Sequence, residues 1–92
     1  MGTGNKLHPE LFRISDLKDT SVCPLCRVMR KELKTRGIQS LKVCWSPEKP
    51  LTPAPAEEDT GSRRSTPGSI SFVPPAAGLM IAGEIVRNIC GL

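Results

Sequence analysis

Between Pro24 and Arg36 the apolar positions recur every three or four residues. Leu25, Val28, Met29 and Leu33 fall on one side of a helical wheel, and Arg27, Arg30, Lys31 and Lys34 gather on the other. Pro24 is tolerated in a first helical turn, where its missing N–H would be unpaired anyway, and Gly37 is placed to end the helix in the left-handed conformation. From Leu41 to Trp45 the pattern alternates, with Leu41, Val43 and Trp45 on one face and Lys42 and Cys44 on the other, which predicts a strand. Ser69 to Val73 reads as a second strand with Ile70 and Phe72 on one face, after which Pro74-Pro75 turns the chain into a helix from Ala76 to Cys90. Ahead of all these, Leu11, Phe12 and Ile14 form a short apolar cluster in which Phe12-Arg13-Ile14 reads as a brief strand.

The last helix is apolar on more than one side of its first turns, through Leu79, Met80, Ile81, Ile85, Val86 and Ile89, so burial by more than one neighbour is expected. Gly78 and Ala82, four apart, are expected to let it approach a sheet closely. Glu84 and Arg87 interrupt the run well short of the roughly 20 apolar residues that spanning a bilayer takes, so no membrane partner is expected. Helix and strand alternate along the chain, which suits an α/β layer. Two strands alone make a poor sheet, and the helices carry more apolar surface than such a sheet can cover. The chain therefore reads as part of something larger.

With 92 residues there is room for one domain at most. Five prolines, at 47, 50, 53, 55 and 67, together with the acidic run Glu57-Glu58-Asp59 and the pair Arg63-Arg64, predict a flexible Pro-rich loop over residues 46–68. The net charge of +4, from 13 Lys and Arg against 9 Asp and Glu, favours polyanionic partners. No N-terminal segment pairs basic residues with an apolar run of secretory type, so a cytoplasmic location is the default and the four cysteines read as thiols. Cys23-Pro-Leu-Cys26 is their one close pair. Three readings of it stay open: two packed thiols at a helix start, a redox dithiol whose thiol pKa the helix dipole lowers, and an irregular zinc site whose remaining ligands would come from Cys44, Cys90 and a distant His8.

Three segments carry a resemblance: Met1-Gly-Thr-Gly-Asn-Lys-Leu-His-Pro9, Cys23-Pro-Leu-Cys-Arg-Val-Met-Arg-Lys-Glu-Leu-Lys-Thr-Arg-Gly37 and Pro67-Gly-Ser-Ile-Ser-Phe-Val-Pro-Pro-Ala-Ala-Gly78. In this order and at about this spacing they resemble the C-terminal part of the ThiF/MoeB/HesA (ubiquitin-activating-like) superfamily, and within it most the tRNA threonylcarbamoyladenosine dehydratases. The resemblance implies that residues 1–92 are the C-terminal part of a ThiF-like nucleotide-binding domain. That is a partial, doubly wound Rossmann-type α/β fold with two helices, two to three short strands and a long mobile loop. It implies a parent enzyme, usually a homodimer, that uses ATP and magnesium to adenylylate the carboxylate of threonylcarbamoyladenosine in certain tRNAs and closes it to a cyclic product.

The Gly-rich loop, triphosphate contacts and magnesium carboxylate of that chemistry lie upstream in the family pattern, so no catalytic and no cofactor-binding residue is assigned in this chain. Met1 corresponds to an internal residue of the pattern, so a fragment that is inactive alone is expected. Under the resemblance Arg27, Arg30, Lys31 and Lys34, with Arg63 and Arg64, become expected contacts to the tRNA backbone. The alternatives are a small zinc or thiol module built on Cys23, Cys26 and Cys44, or an RNA-interaction module. Two positions depart from the family pattern: His8 stands where an aspartate is usual, and Cys26 where a small residue is commoner.

Overall fold

A computed structural model describes residues 1–52 and 68–92; residues 53–67, which hold Arg63, Arg64 and most of the expected 46–68 loop, lie outside the described residues. A 3-10 turn at Pro9–Leu11 leads into strand β1 (Arg13–Asp16), and a second 3-10 turn at Leu17–Asp19 leads into helix α1 (Pro24–Thr35). Strand β2 (Lys42–Trp45) and helix α2 (Val73–Cys90) follow. The architecture is mixed α/β, with two helices and a two-stranded sheet, compatible with a partial Rossmann-type fold. The strands pair antiparallel, Arg13 opposite Trp45, Ile14 opposite Cys44, Ser15 opposite Val43 and Asp16 opposite Lys42. An antiparallel edge is common on otherwise parallel α/β sheets.

Because side chains alternate along a strand, β2 sends Val43 and Trp45 to one face and Cys44 to the other, and each face meets its own helix. Val43 and Trp45 pack with Leu17, Cys23 and Cys26, joined by the half-buried Met29 and Leu33 of α1. On the opposite face Cys44 packs with Phe12, Val73 and Ala77, joined by Ile14 and Met80. The Trp45 indole N–H, which burial would otherwise orphan, donates to Ser15 Oγ across the sheet at 2.8 Å. The result is three layers, helix, sheet and helix, with β2 at the centre.

Helix α1 ends as its sequence predicts. Gly37 adopts φ 73°, and its amide and that of Ile38 bond back to the Lys34 and Leu33 carbonyls at 3.2 and 2.9 Å. Its inward face is rotated from the expected one: Cys26, Met29 and Leu33 pack inward, while Leu25 and Val28 are exposed. The reason is Cys26, fully buried at the first turn, which sets the phase of the helix.

The expected strand Ser69–Val73 does not form. The Val73 amide instead closes a turn onto the Ile70 carbonyl at 3.1 Å, leaving Ile70 and Phe72 exposed and starting α2 at Val73. Pro74 and Pro75 sit inside its first turn, where amides have no helical acceptor, so they open the helix and do not precede it. The face of α2 laid on the sheet is Val73, Ala77 and Met80, whereas Gly78 is exposed with open space where a Cβ would stand. Beyond these first turns Ile81, Ile85 and Val86 are exposed, and Ile89 and Leu92 are 81% and 88% exposed. Lys42 of β2 holds its middle through Glu84 at 2.8 Å, and Arg87 reaches the other carboxylate oxygen at 3.1 Å. Those two cations, Lys42 first, hold the Glu84 carboxyl below its ordinary pKa. No described helix is long and apolar enough to cross a membrane.

The N-terminal segment ties the layers together. Asn5 takes the left-handed conformation (φ 58°) that asparagine tolerates better than other side-chain-bearing residues. There its carbonyl accepts from Leu51 N at 2.7 Å, its amide donates to Gly68 O at 2.8 Å and its Oδ1 accepts from Gly68 N at 2.7 Å. The Glu48 carboxylate accepts from the Leu7 and His8 amides, both at 2.9 Å. Replacing Asn5 by glycine keeps the backbone unstrained and removes one hydrogen bond, for a loss of about 1 kcal/mol. Asn5→Ala adds the left-handed Cβ penalty of about 1–2 kcal/mol. Urea denaturation should therefore rank wild type above Asn5→Gly above Asn5→Ala.

Candidate functional site

The chain enters α1 through a strained residue. Val22 is β-branched and exposed, yet has φ 68°, a conformation that costs of order 1–3 kcal/mol and persists only where its surroundings impose it. It follows Thr20, whose hydroxyl donates to the Leu17 carbonyl at 2.7 Å, and it precedes Cys23, the N-cap of α1. Cys23 and Cys26 lie one turn apart at the helix start, 2% and 0% exposed. Burial pushes the Cys23 thiol up, but the amides of Cys26, Gly2 and Leu25 and the Cys26 thiol donate toward its sulfur and leave its pKa below the ordinary value. Cys26 moves the other way, raised by burial and by its bond to the Cys23 sulfur. The two thiols are thus differentiated in direction, Cys23 shifted down and Cys26 up.

Four cations were expected along α1, and the structure separates them. Arg27, Lys31 and Lys34 are exposed on its outer side. Arg30 falls between Cys26 and Leu33 on the inward side, and its guanidinium donates to the Thr20 carbonyl at 3.0 Å and to the Thr20 hydroxyl, pinning α1 to the turn before it. Its aliphatic stem accounts for a basic residue at an inward position. An open groove of about 660 Å³ runs past Val22, Cys23 and Pro24 to Arg27, Val28, Arg30 and Lys31, so Cys23 and the cations border one hollow. Across Arg30 lies a second hollow of about 470 Å³, where Lys18, Lys34 and Asp16 border Leu33, Ile38 and Leu41.

Cys44 lies on the sheet face away from Cys23 and Cys26, packed against Val73 and Ala77, and burial raises its pKa. Among the described residues no three His, Cys, Asp or Glu side chains come together as metal ligands. His8 is exposed and pairs through Nδ1 with Glu10 at 3.0 Å, not with the sheet or α1. Lys6 went unnoticed in the sequence: it is 5% exposed, and its ammonium donates to the Gly2 and Gly4 carbonyls at 2.9 and 3.5 Å. A side chain at Gly2 would meet Lys6 Nζ at 3.7 Å and Cys23 Sγ at 3.8 Å, so the Gly-rich opening packs against the dithiol. Glycines spaced around a lysine were the available signal.

Compared with proteins of known function, the chain is 31% identical over 98 aligned positions to the tRNA threonylcarbamoyladenosine dehydratase of Bacillus subtilis strain 168, covering 97% of this chain and 39% of that protein. It is 43% identical over 65 positions to tRNA threonylcarbamoyladenosine dehydratase 2 of Saccharomyces cerevisiae, covering 63% of this chain and 14% of that protein. The chain thus spans less than half the length of the relatives it matches. No protein-family model and no solved structure matches it.

Two outcomes are expected. Arg30→Ala removes donors to Thr20 and should lower unfolding free energy by about 1–3 kcal/mol, while Arg27→Ala should change it by less than about 0.5 kcal/mol; paired urea titrations read the difference. For Cys23, a thiol pKa lowered in the folded state means thiolate stabilisation that is present above the unfolded value, about 8.5, and lost as pH falls through the folded value. The pH midpoint of its iodoacetamide reactivity should accordingly lie lower in the folded chain than in the urea-unfolded one.

Proposed function

We propose that this chain, similar over nearly its whole length to a tRNA threonylcarbamoyladenosine dehydratase, forms the tRNA-facing layer of such an enzyme. The observation that carries the reading is the outer face of α1. Arg27, Lys31 and Lys34 project together, and no ion pair among the described residues neutralises them. Cations held on a rigid helix neutralise backbone phosphates and release their counterions, an attraction independent of base sequence. Arg30 serves this face indirectly, by fixing the helix on its Thr20 anchor.

In this reading residues 1–92 are the C-terminal part of a ThiF-like nucleotide-binding domain, acting in the cytoplasm as part of a homodimer, with ATP and magnesium bound by residues outside this chain. Neither helix start described here fits a triphosphate. The first turn of α2 gives up amide donors to Pro74 and Pro75, and that of α1 begins with Pro24 and turns the amides of Leu25 and Cys26 onto the Cys23 sulfur. In this reading adenylylation and ring closure belong to the rest of the enzyme, and this chain alone is not catalytic.

The test is tRNA binding by fluorescence anisotropy across a salt series. The triple variant Arg27→Glu, Lys31→Glu, Lys34→Glu should bind more weakly at low salt, and its slope of log affinity against log salt should fall by about 0.7–0.9 per lost phosphate contact. Unchanged affinity and slope would refute the interface. Production of AMP from ATP by the wild-type chain mixed with tRNA would refute the assignment of catalysis elsewhere.

A further inference from the structure

We propose that Cys23 and Cys26 form a reversible dithiol–disulfide couple, with Cys23 the attacking sulfur and an anionic low-molecular-weight disulfide of the glutathione class as its oxidant. The two cysteines lie one helical turn apart at the start of α1, the N-cap and a first-turn residue, buried in the same cluster. No other cysteine competes for either of them, since Cys44 is packed on the opposite sheet face and Cys90 is exposed at the far end of α2. Of the pair, Cys23 lines the groove and Cys26 does not. Helix amides aimed at Cys23 favour its thiolate, which is the reactive form.

The same groove carries Arg27, Arg30 and Lys31, which draw in a co-reactant bearing carboxylates. What covers the Cys23 sulfur on one side is Gly2, a residue without a side chain. Val22, immediately before Cys23, is exposed and holds the left-handed backbone at φ 68°.

The chemistry balances without a metal. The Cys23 thiolate attacks one sulfur of the disulfide RSSR, forming a Cys23–S–S–R bond and expelling RS⁻. Cys26 then gives up its proton and attacks the Cys23 sulfur, forming the Cys23–Cys26 bond and expelling the second RS⁻. Two cysteine thiols lose two electrons, RSSR gains them, and both cysteine protons end on the two RSH released. An excess of RSH reverses each step.

The experiment uses the whole chain carrying Cys90→Ser. It is equilibrated without oxygen in buffers of graded reduced-to-oxidised glutathione ratio, quenched in acid, unfolded, alkylated and read by peptide mass mapping. Expected is a disulfide between Cys23 and Cys26 that appears and disappears with one midpoint, while Cys44 stays alkylated throughout. Cys26→Ser should accumulate a glutathione adduct on Cys23 severalfold faster than Cys23→Ser accumulates one on Cys26. Equal adduct rates would overturn the assignment of Cys23 as attacking sulfur. Where a variant loses its fold by circular dichroism, the Cys90→Ser titration decides the couple on its own. Oxidation confined to chain unfolded in urea, or a pair that stays fully alkylated in the most oxidising buffer, would overturn the couple itself.

Discussion

Strand β2 packs against both helical layers, and its burial on two faces is the constraint the other elements answer to. Val43 and Trp45 look toward α1, while Cys44 looks toward α2. Burying a short strand twice leaves its backbone polar groups dependent on β1, so the antiparallel ladder and the Trp45–Ser15 bond satisfy what the helices seal from water. The arrangement is also asymmetric. On the α1 side the packing is reinforced by polar ties, with Arg30 on Thr20 and Thr20 on Leu17. On the α2 side it rests on few apolar contacts and the exposed Lys42–Glu84 pair, whose worth salt reduces. The α1 layer is therefore the stiffer platform, and the dithiol and the cation row are both built on it.

How much of this was legible in the sequence depends on which force placed each residue. The limits of α1 came from Pro24 and Gly37, because helix ends obey local backbone rules. The alternation at Leu41–Trp45 correctly set Cys44 apart from Val43 and Trp45, and that assignment alone distances it from Cys23 and Cys26. The phase of α1 was misjudged because Leu25 and Val28 outweigh a cysteine in any hydropathy pattern, whereas the buried thiol at 26 sets the inward face. Ile70 and Phe72 misled for a related reason: a short alternating run fits a strand, and nothing local reveals that a turn will close on Val73. Arg30 was grouped with the surface cations by its charge, although its partner at Thr20 lies ten residues earlier. Contacts of that kind carry no periodic signature.

The exposed length of α2 has the opposite origin. Its apolar residues are plain in the sequence, and the described residues cover only Val73, Ala77 and Met80 of them well. The relatives are more than twice as long as this chain. A helix with apolar residues on several sides is what a larger α/β layer buries between neighbours.

Asn5 has a consequence for the history of such a chain as much as for its stability. By bonding to Leu51 and to Gly68 it brings the two flanks of the Pro-rich segment to the same point on the surface. Leu51 and Gly68 thus meet at one gate. Closing a longer excursion between fixed ends costs only about 0.6 kcal/mol for each doubling of its length. Evolution can therefore add or delete residues at this gate while β2 and α2 keep their places, and an engineer looking for a spot to graft a tag or a second binding element would find one there.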